Sequence, residues 1–172
     1  MRTYLISDLH FGHKNIIDYE SRPFEDLDHQ DKCLIDNWNA VIGKHDMVFV
    51  LGDFSFYGKE KTKQIVSKLN GHKLLVMGNH DKGRTVSWWR DAGFDEVSYY
   101  PIMINDFIIL SHEPVYLNPK MPYVNIHGHI HSNSIQSNGT NQYFNVCIDA
   151  NAYYPTDLES IKKKIKIKEG DD

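Results

Sequence analysis

The chain has 172 residues, of which 41% are hydrophobic and 24% charged, and a formal net charge of −4. That is enough for one substantial core and too little for two comfortable ones, so a single domain over residues 1–172 is expected. The acidic balance excludes a general phosphate-backbone binder, which carries a basic field; a nucleic-acid partner stays open but draws no support. Two cysteines, Cys33 and Cys147, have neither the number nor the spacing of a disulfide framework or a thiolate metal site, which fits a reducing cytoplasm. No apolar stretch of leader-peptide length opens the chain and no window reaches membrane-spanning length, so a soluble cytoplasmic protein with no membrane partner is expected.

In chain order, short apolar runs of buried-strand type occur at Thr3 to Ser7, Met47 to Leu51, Lys73 to Met77, Phe107 to Leu110, Tyr123 to Ile126 and Tyr143 to Ile148. Helical punctuation separates the first three. Asp26 is an N-cap candidate, Leu34, Trp38, Val41 and Ile42 follow at helical spacing, and Gly43 supplies a stop. Lys59 to Leu69 reads as a second helix ending at Asn70-Gly71, and Thr85 to Ala92 as a shorter one ending at Gly93. Strand and helix alternate to about residue 93, which implies parallel strands with right-handed crossovers; beyond that the chain reads as mostly β. The lysine-rich stretch from Lys162 to Lys168 reads as a solvated face at a terminus and is assigned no function.

The ten histidines are not scattered. Five of the apolar runs are followed by metal-binding residue types: Asp8-Leu9-His10, Gly52-Asp53, Gly78-Asn79-His80-Asp81, Ser111-His112 and Gly128-His129-Ile130-His131. In α/β sheets, ligands bind in the crevice beyond the carboxyl ends of the strands, so successive strand ends deliver these side chains to one place. Carboxylate, imidazole and amide oxygen without thiolate suit manganese, iron or zinc. Seven ligands exceed one tetrahedral ion and suit two ions sharing a carboxylate, an arrangement known for in-line displacement at phosphorus. In Asp8-Leu9-His10 and His129-Ile130-His131, a spacing of two on extended chain puts both side chains on one face. Glycines 52, 78 and 128 would let the backbone turn sharply and approach the ions.

With these motifs in this order, the sequence resembles the calcineurin-like metallophosphoesterase family over essentially its whole length. The resemblance implies an α/β fold in which a two-sheet β-sandwich is flanked by helices. It implies one metal ion held by Asp8, His10, Asp53 and His131 and a second held by Asp53, Asn79, His112 and His129. Asp53 would bridge, and His80 would stabilise or protonate the leaving oxygen. The protein serine/threonine phosphatase branch carries an acidic residue and then arginine just beyond the bridging aspartate, where this chain has Phe56 and Tyr57. The likeness is closer to small bacterial and phage-type phosphoesterases, as His10-Phe11-Gly12-His13 and Arg22-Pro23-Phe24 also suggest.

Other residues read more plainly. A single aspartate or histidine at a strand end is more often a turn or cap residue than a ligand; the ordered set reverses those odds. Asp81 reads as orienting His80 or its loop, and His127 as a packed structural histidine. His13 divides evenly between substrate contact and helix-start polarity. Arg22 and Arg84 have the chemistry to grip phosphate, yet surface placement is the default for both. His29, His45 and His72 read as surface, and Trp88-Trp89, Tyr99-Tyr100 and Tyr153-Tyr154 as core.

The expectation is a hydrolase of phosphomonoesters or phosphodiesters using two divalent ions, manganese first with iron or zinc as alternatives. A metal-bridging hydroxide would act as nucleophile, with Asp53 and His80 as the catalytic pair. Its partner would be a small phosphate-ester substrate, nucleotides included. A non-catalytic scaffold on the same fold and a nuclease are the rival readings. The full ligand set weighs against the first and the acidic balance against the second.

Overall fold

The computed structural model describes residues 1–135 and 141–165. Strands β1 (Thr3–Ile6), β2 (Met47–Val50), β3 (His72–Val76) and β4 (Glu96–Ser98) pair in parallel, and β9 (Thr156–Asp157) adds antiparallel to β1, giving the order β4-β3-β2-β1-β9. The second sheet has the order β5-β6-β7-β8, from Ile102–Ile104, Ile108–Leu110, Val124–His127 and Tyr143–Asn145. The first of these is antiparallel to its neighbour and the others are parallel. Two sheets flanked by helices is the expected architecture.

The helices form where the chain punctuates them. In α2 (Leu27–Val41) the Asp26 carboxylate accepts the His29 amide at 2.8 Å, and in α4 (Val86–Asp91) the Thr85 hydroxyl accepts the Trp88 amide at 3.2 Å. With α3 (Lys59–Val66) they connect the parallel strands in turn. A short α1 (Ile16–Tyr19) precedes them.

Strands β1, β2 and β3 of the first sheet are buried on both faces, which is why they read as unbroken apolar runs. Tyr4, Ile6, Val48, Val50 and Leu75 face Leu34, Trp38, Ile65 and Trp89 on the helices. The alternate residues Leu5, Phe49, Leu51 and Val76 face Ile108, Leu110, Val124 and Ile126 of the second sheet. The sheets join where Ser7 pairs with Cys147: the Ser7 amide donates to Val146 O at 3.2 Å and the Ile148 amide to Ser7 O at 3.1 Å. This seam lies directly below the strand ends.

Some expectations change. The final apolar run is strand only to Asn145, then a 3-10 turn at Ile148–Ala150. The three lysines from Lys162 to Lys164 belong to α5 (Leu158–Lys164), whose opposite side buries Leu158, Ile161 and Ile165; residues 166–168 lie outside the described residues. Tyr99 and Tyr100 are exposed rather than core, because β4 is an edge strand and they follow it into a turn held by Ser98 and Tyr100. Trp89 is fully buried, Trp88 and Tyr153 pack on the core from its margin, and Tyr154 is exposed. His72 sits on β3 with its side chain exposed. No helix among the described residues is long and apolar enough to cross a membrane.

Trp38 is fully buried and its indole donates to Asn70 O at 3.0 Å. Trp38→Ala is expected to lower stability by ~3–5 kcal/mol, read from urea unfolding. Val41→Ala, at a side chain exposed on the same helix, should change it by less than ~0.5 kcal/mol.

Candidate metal centre

Five strand ends meet above the seam: those of β1, β2 and β3 from one sheet and β6 and β7 from the other. The β4 and β5 ends intervene in sequence without contributing. Backbone bonds hold the loops side by side. The Asp8 amide donates to Gly52 O at 3.1 Å, the His10 amide to Asp53 O at 3.0 Å, and the His129 amide to the Asp8 carboxylate at 2.9 Å.

The paired side chains do not share a face by extended alternation. Asp8, His10, Asp53, His129 and His131 all have positive φ, between 50° and 70°. Ten non-glycine residues among those described do so, and half of them are site residues. Left-handed backbone is unfavourable for such side chains and persists where surrounding bonds enforce it, commonly at functional sites. The glycines serve differently as well. Gly52 alone of the three turns with positive φ, at 88°, whereas Gly128 is required for room: a Cβ there would run into Ser7 Oγ and Asp8 Oδ2.

All seven candidate ligands converge. Ligand atoms of Asp8, His10 and His131 lie within 4.8 Å of one another, as do those of Asp8, Asp53 and His112. Asp53 Oδ2 stands 3.7 Å from His10 Nε2 on one side and 3.4 Å from His112 Nε2 on the other. His112 Nδ1 donates to Leu51 O at 2.8 Å, which turns Nε2 toward Asn79 Oδ1 at 2.8 Å and His129 Nδ1 at 3.1 Å. Asp81 is buried outside the set, as expected. Its carboxylate accepts the amides of Asp53, Phe54 and Gly78 at 2.7, 3.2 and 2.9 Å and so ties two loops together.

The electrostatics match this crowding. Burial opposes ionisation of Asp8 and Asp53, but hydrogen bonds and the fields of His10 and His112 outweigh it, and both carboxyls are held below their ordinary values. Burial also opposes the His112 imidazolium, yet the Asp53 hydrogen bond and the Asp8 and Asp53 charges raise it to about 9. Asp81 is pushed up to about 6 by burial and by Asp53.

His80 lies at the mouth with its side chain half exposed; its amide donates to Asp53 Oδ1 at 3.0 Å and its Nε2 is 3.9 Å from Asp53 Oδ2. Phe56 stacks on His13 at 4.2 Å and His10 at 5.4 Å and tilts against His80 at 5.1 Å, so the departure at this position forms an aromatic wall. His127 is buried with Nδ1 on Gly128 O, a structural placement.

Arg22 is not on the surface, and Arg84 is half-buried with its donors used internally. Arg84 donates to Ser55 O and Tyr57 O at 2.5 and 2.8 Å and lies over Trp88. Arg22 is buried, and Asp149, which sequence reading missed, is its partner. Asp149 also meets His131 Nδ1 at 2.8 Å. It follows the sixth apolar run as the other polar residues follow the first five, so the same rule taken one run further finds it.

Residues 1–165 match the family described as calcineurin-like phosphoesterase. An uncharacterized protein of Methanocaldococcus jannaschii is 34% identical over 178 residues, covering 96% of this chain and 92% of that protein. The gene 66 protein of Mycobacterium phage L5 is 37% identical over 82 residues, 46% of this chain and 39% of its own. A solved structure of a protein of unknown function from Aquifex aeolicus aligns with a TM-score of 0.73 at 27% identity, over 95% of this chain and 99% of that one. The chain therefore belongs to the calcineurin-like phosphoesterase family, whose members typically bind divalent metals.

A cation entering beside His112 must displace its proton, since an imidazolium has no free lone pair. With that group raised to about 9, metal binding near pH 7 should release about one proton from it and strengthen as pH rises toward 9. Calorimetric titration in two buffers of different ionisation enthalpy measures the release; affinity independent of pH over this range would contradict it.

Proposed function

We propose that the protein hydrolyses small phosphate esters, nucleotides among them, with two divalent ions: manganese first, iron or zinc as alternatives. The observation that carries this reading is a pair of orphaned atoms. Of the three buried side-chain N and O atoms lacking a partner among the described residues, two are Asp8 Oδ1 and His10 Nε2, which face each other at 3.8 Å. That is too far for a hydrogen bond, and burying such groups unpaired is expensive. A cation between them removes the expense, and the oxygen and imidazole donors around it suit the proposed metals.

Asp8, His10, Asp53 and His131 would hold one ion and Asp53, Asn79, His112 and His129 the other, with Asp53 shared. Bound ions would draw an attacking oxygen from water near neutral pH and neutralise charge growing on phosphorus. The chain's own part is to hold that geometry. Asp81 fixes the Asp53 loop, and the Phe56 wall covers the His10 side. His80 is exposed enough to reach a leaving oxygen and is held by its amide on Asp53, so it donates the proton that oxygen needs.

Reconstitution with manganese followed by assay on phosphomonoesters, linear diesters and cyclic nucleotides tests the activity. Asp53→Asn is expected to abolish turnover and weaken both ions while leaving the fold intact by circular dichroism. Turnover within a few-fold of the parent would exclude the shared role. His80→Ala should keep both ions. It should lose ~10²–10⁴-fold in turnover on an alkyl phosphate, whose leaving group needs a proton, and far less on a nitrophenyl phosphate. Equal losses on the two substrates would remove the acid role.

A further inference from the structure

Behind the site, Arg22 is saturated. Its Nε donates to Asp149 Oδ1 at 2.8 Å and its Nη2 to Asp149 Oδ2 at 2.9 Å, a two-point grip on one carboxylate. Nη2 also donates to Asp8 O at 2.9 Å, while Nη1 donates to Leu9 O at 3.2 Å and Gln30 Oε1 at 3.1 Å. A guanidinium has five N–H donors, and all five are used. With its side chain fully buried, Arg22 has nothing left for a substrate phosphate, so its work is internal. It clamps the carbonyls on either side of the bend from Asp8 to His10, where both residues carry positive φ. Through Asp149 it reaches a third candidate ligand, because Asp149 Oδ2 lies 2.8 Å from His131 Nδ1.

We propose that Asp149, held by Arg22, is the positioning residue for His131: it accepts a hydrogen bond from Nδ1–H, keeps the proton on that nitrogen and so leaves the Nε2 lone pair for the ion shared with Asp8 and His10. A carboxylate behind a ligating imidazole sets both its tautomer and its orientation. One buried pair thereby sets Asp8, His10 and His131 together. Cys147, with Sγ 3.3 Å from Asp149 Oδ2 and 3.8 Å from His131 Nδ1, belongs to the same support, donating its thiol proton to the carboxylate rather than forming a separate metal site with these two residues. The inference rests on the two-ion reading above and deepens it.

The test uses the full chain, stripped with chelator and titrated with manganese. In metal-free parent protein, at a pH high enough to leave the imidazole neutral, ¹⁵N shifts should report His131 as the Nδ1–H tautomer; the Nε2–H form there would overturn the proposal without any variant. Asp149→Asn turns an amide donor toward Nδ1 and favours the wrong tautomer. It should weaken one of the two manganese equivalents by ~10–100-fold and move the His131 shifts, while the other equivalent stays within about threefold. Asp149→Glu, which restores the acceptor, should recover part of the lost affinity. If Asp149→Asn binds both ions as the parent does, the proposal is overturned while the functional reading stands. If the parent itself binds no manganese and cleaves no ester, the functional reading fails, and the tautomer alone decides whether Asp149 orients His131. Thiolate charge-transfer absorbance from a third equivalent of cobalt would make Cys147 and Asp149 ligands and overturn it equally.

Discussion

Two carboxylates, Asp8 and Asp53, are buried within reach of the same imidazoles, and much of the molecule is arranged around that concentration of charge. Burial disfavours each ionised group, and each is ionised only because the others are near. The loops cannot relax apart. Backbone bonds join the segment after β1 to that after β2, and Asp81 bonds the β2 segment to that after β3. The His129 amide then ties the second sheet to Asp8.

Such a centre needs a rigid foundation, and the double-sided burial of the first sheet provides one. Helices cover one face and the second sheet the other, so no strand of the central trio can slide without exposing apolar side chains on two sides. The left-handed residues at the strand ends are the strain that this packing sustains. The support continues behind the site in Arg22 and Asp149, a fully paired charge cluster in place of the apolar filling found elsewhere.

Phe56, three residues beyond Asp53, gives the mouth of the site an aromatic wall. Phe56 brings no charge to the mouth of the site. It packs the His10 and His13 rings and leaves His80 open. That side of the mouth therefore presents aromatic and imidazole rings, since Arg84, the nearest arginine in sequence, is spent on Ser55 and Tyr57 carbonyls.

The sequence by itself determined the alternation of strand and helix to about residue 93, because apolar runs, caps and stop glycines are local signals. It also determined the seven converging residues, because each lies within about five positions of the end of such a run. The short strands β4, β5 and β9 were not legible; each is a sheet edge without a buried residue and forms only where a neighbouring strand pairs with it, whereas the equally short β6 and β8 belong to runs that include buried residues. Helix α5 was obscured by its lysines, which are solvated as expected but share a helix with buried Leu158 and Ile161. Only the tertiary structure decided that Arg22 is internal, since a side chain that looks exposed in sequence is buried here by Asp149, 127 positions away. It also decided that Asp8, His10, His129 and His131 share their site through left-handed backbone rather than strand alternation. That conformation comes from contacts between loops far apart in the chain, and no local pattern encodes it.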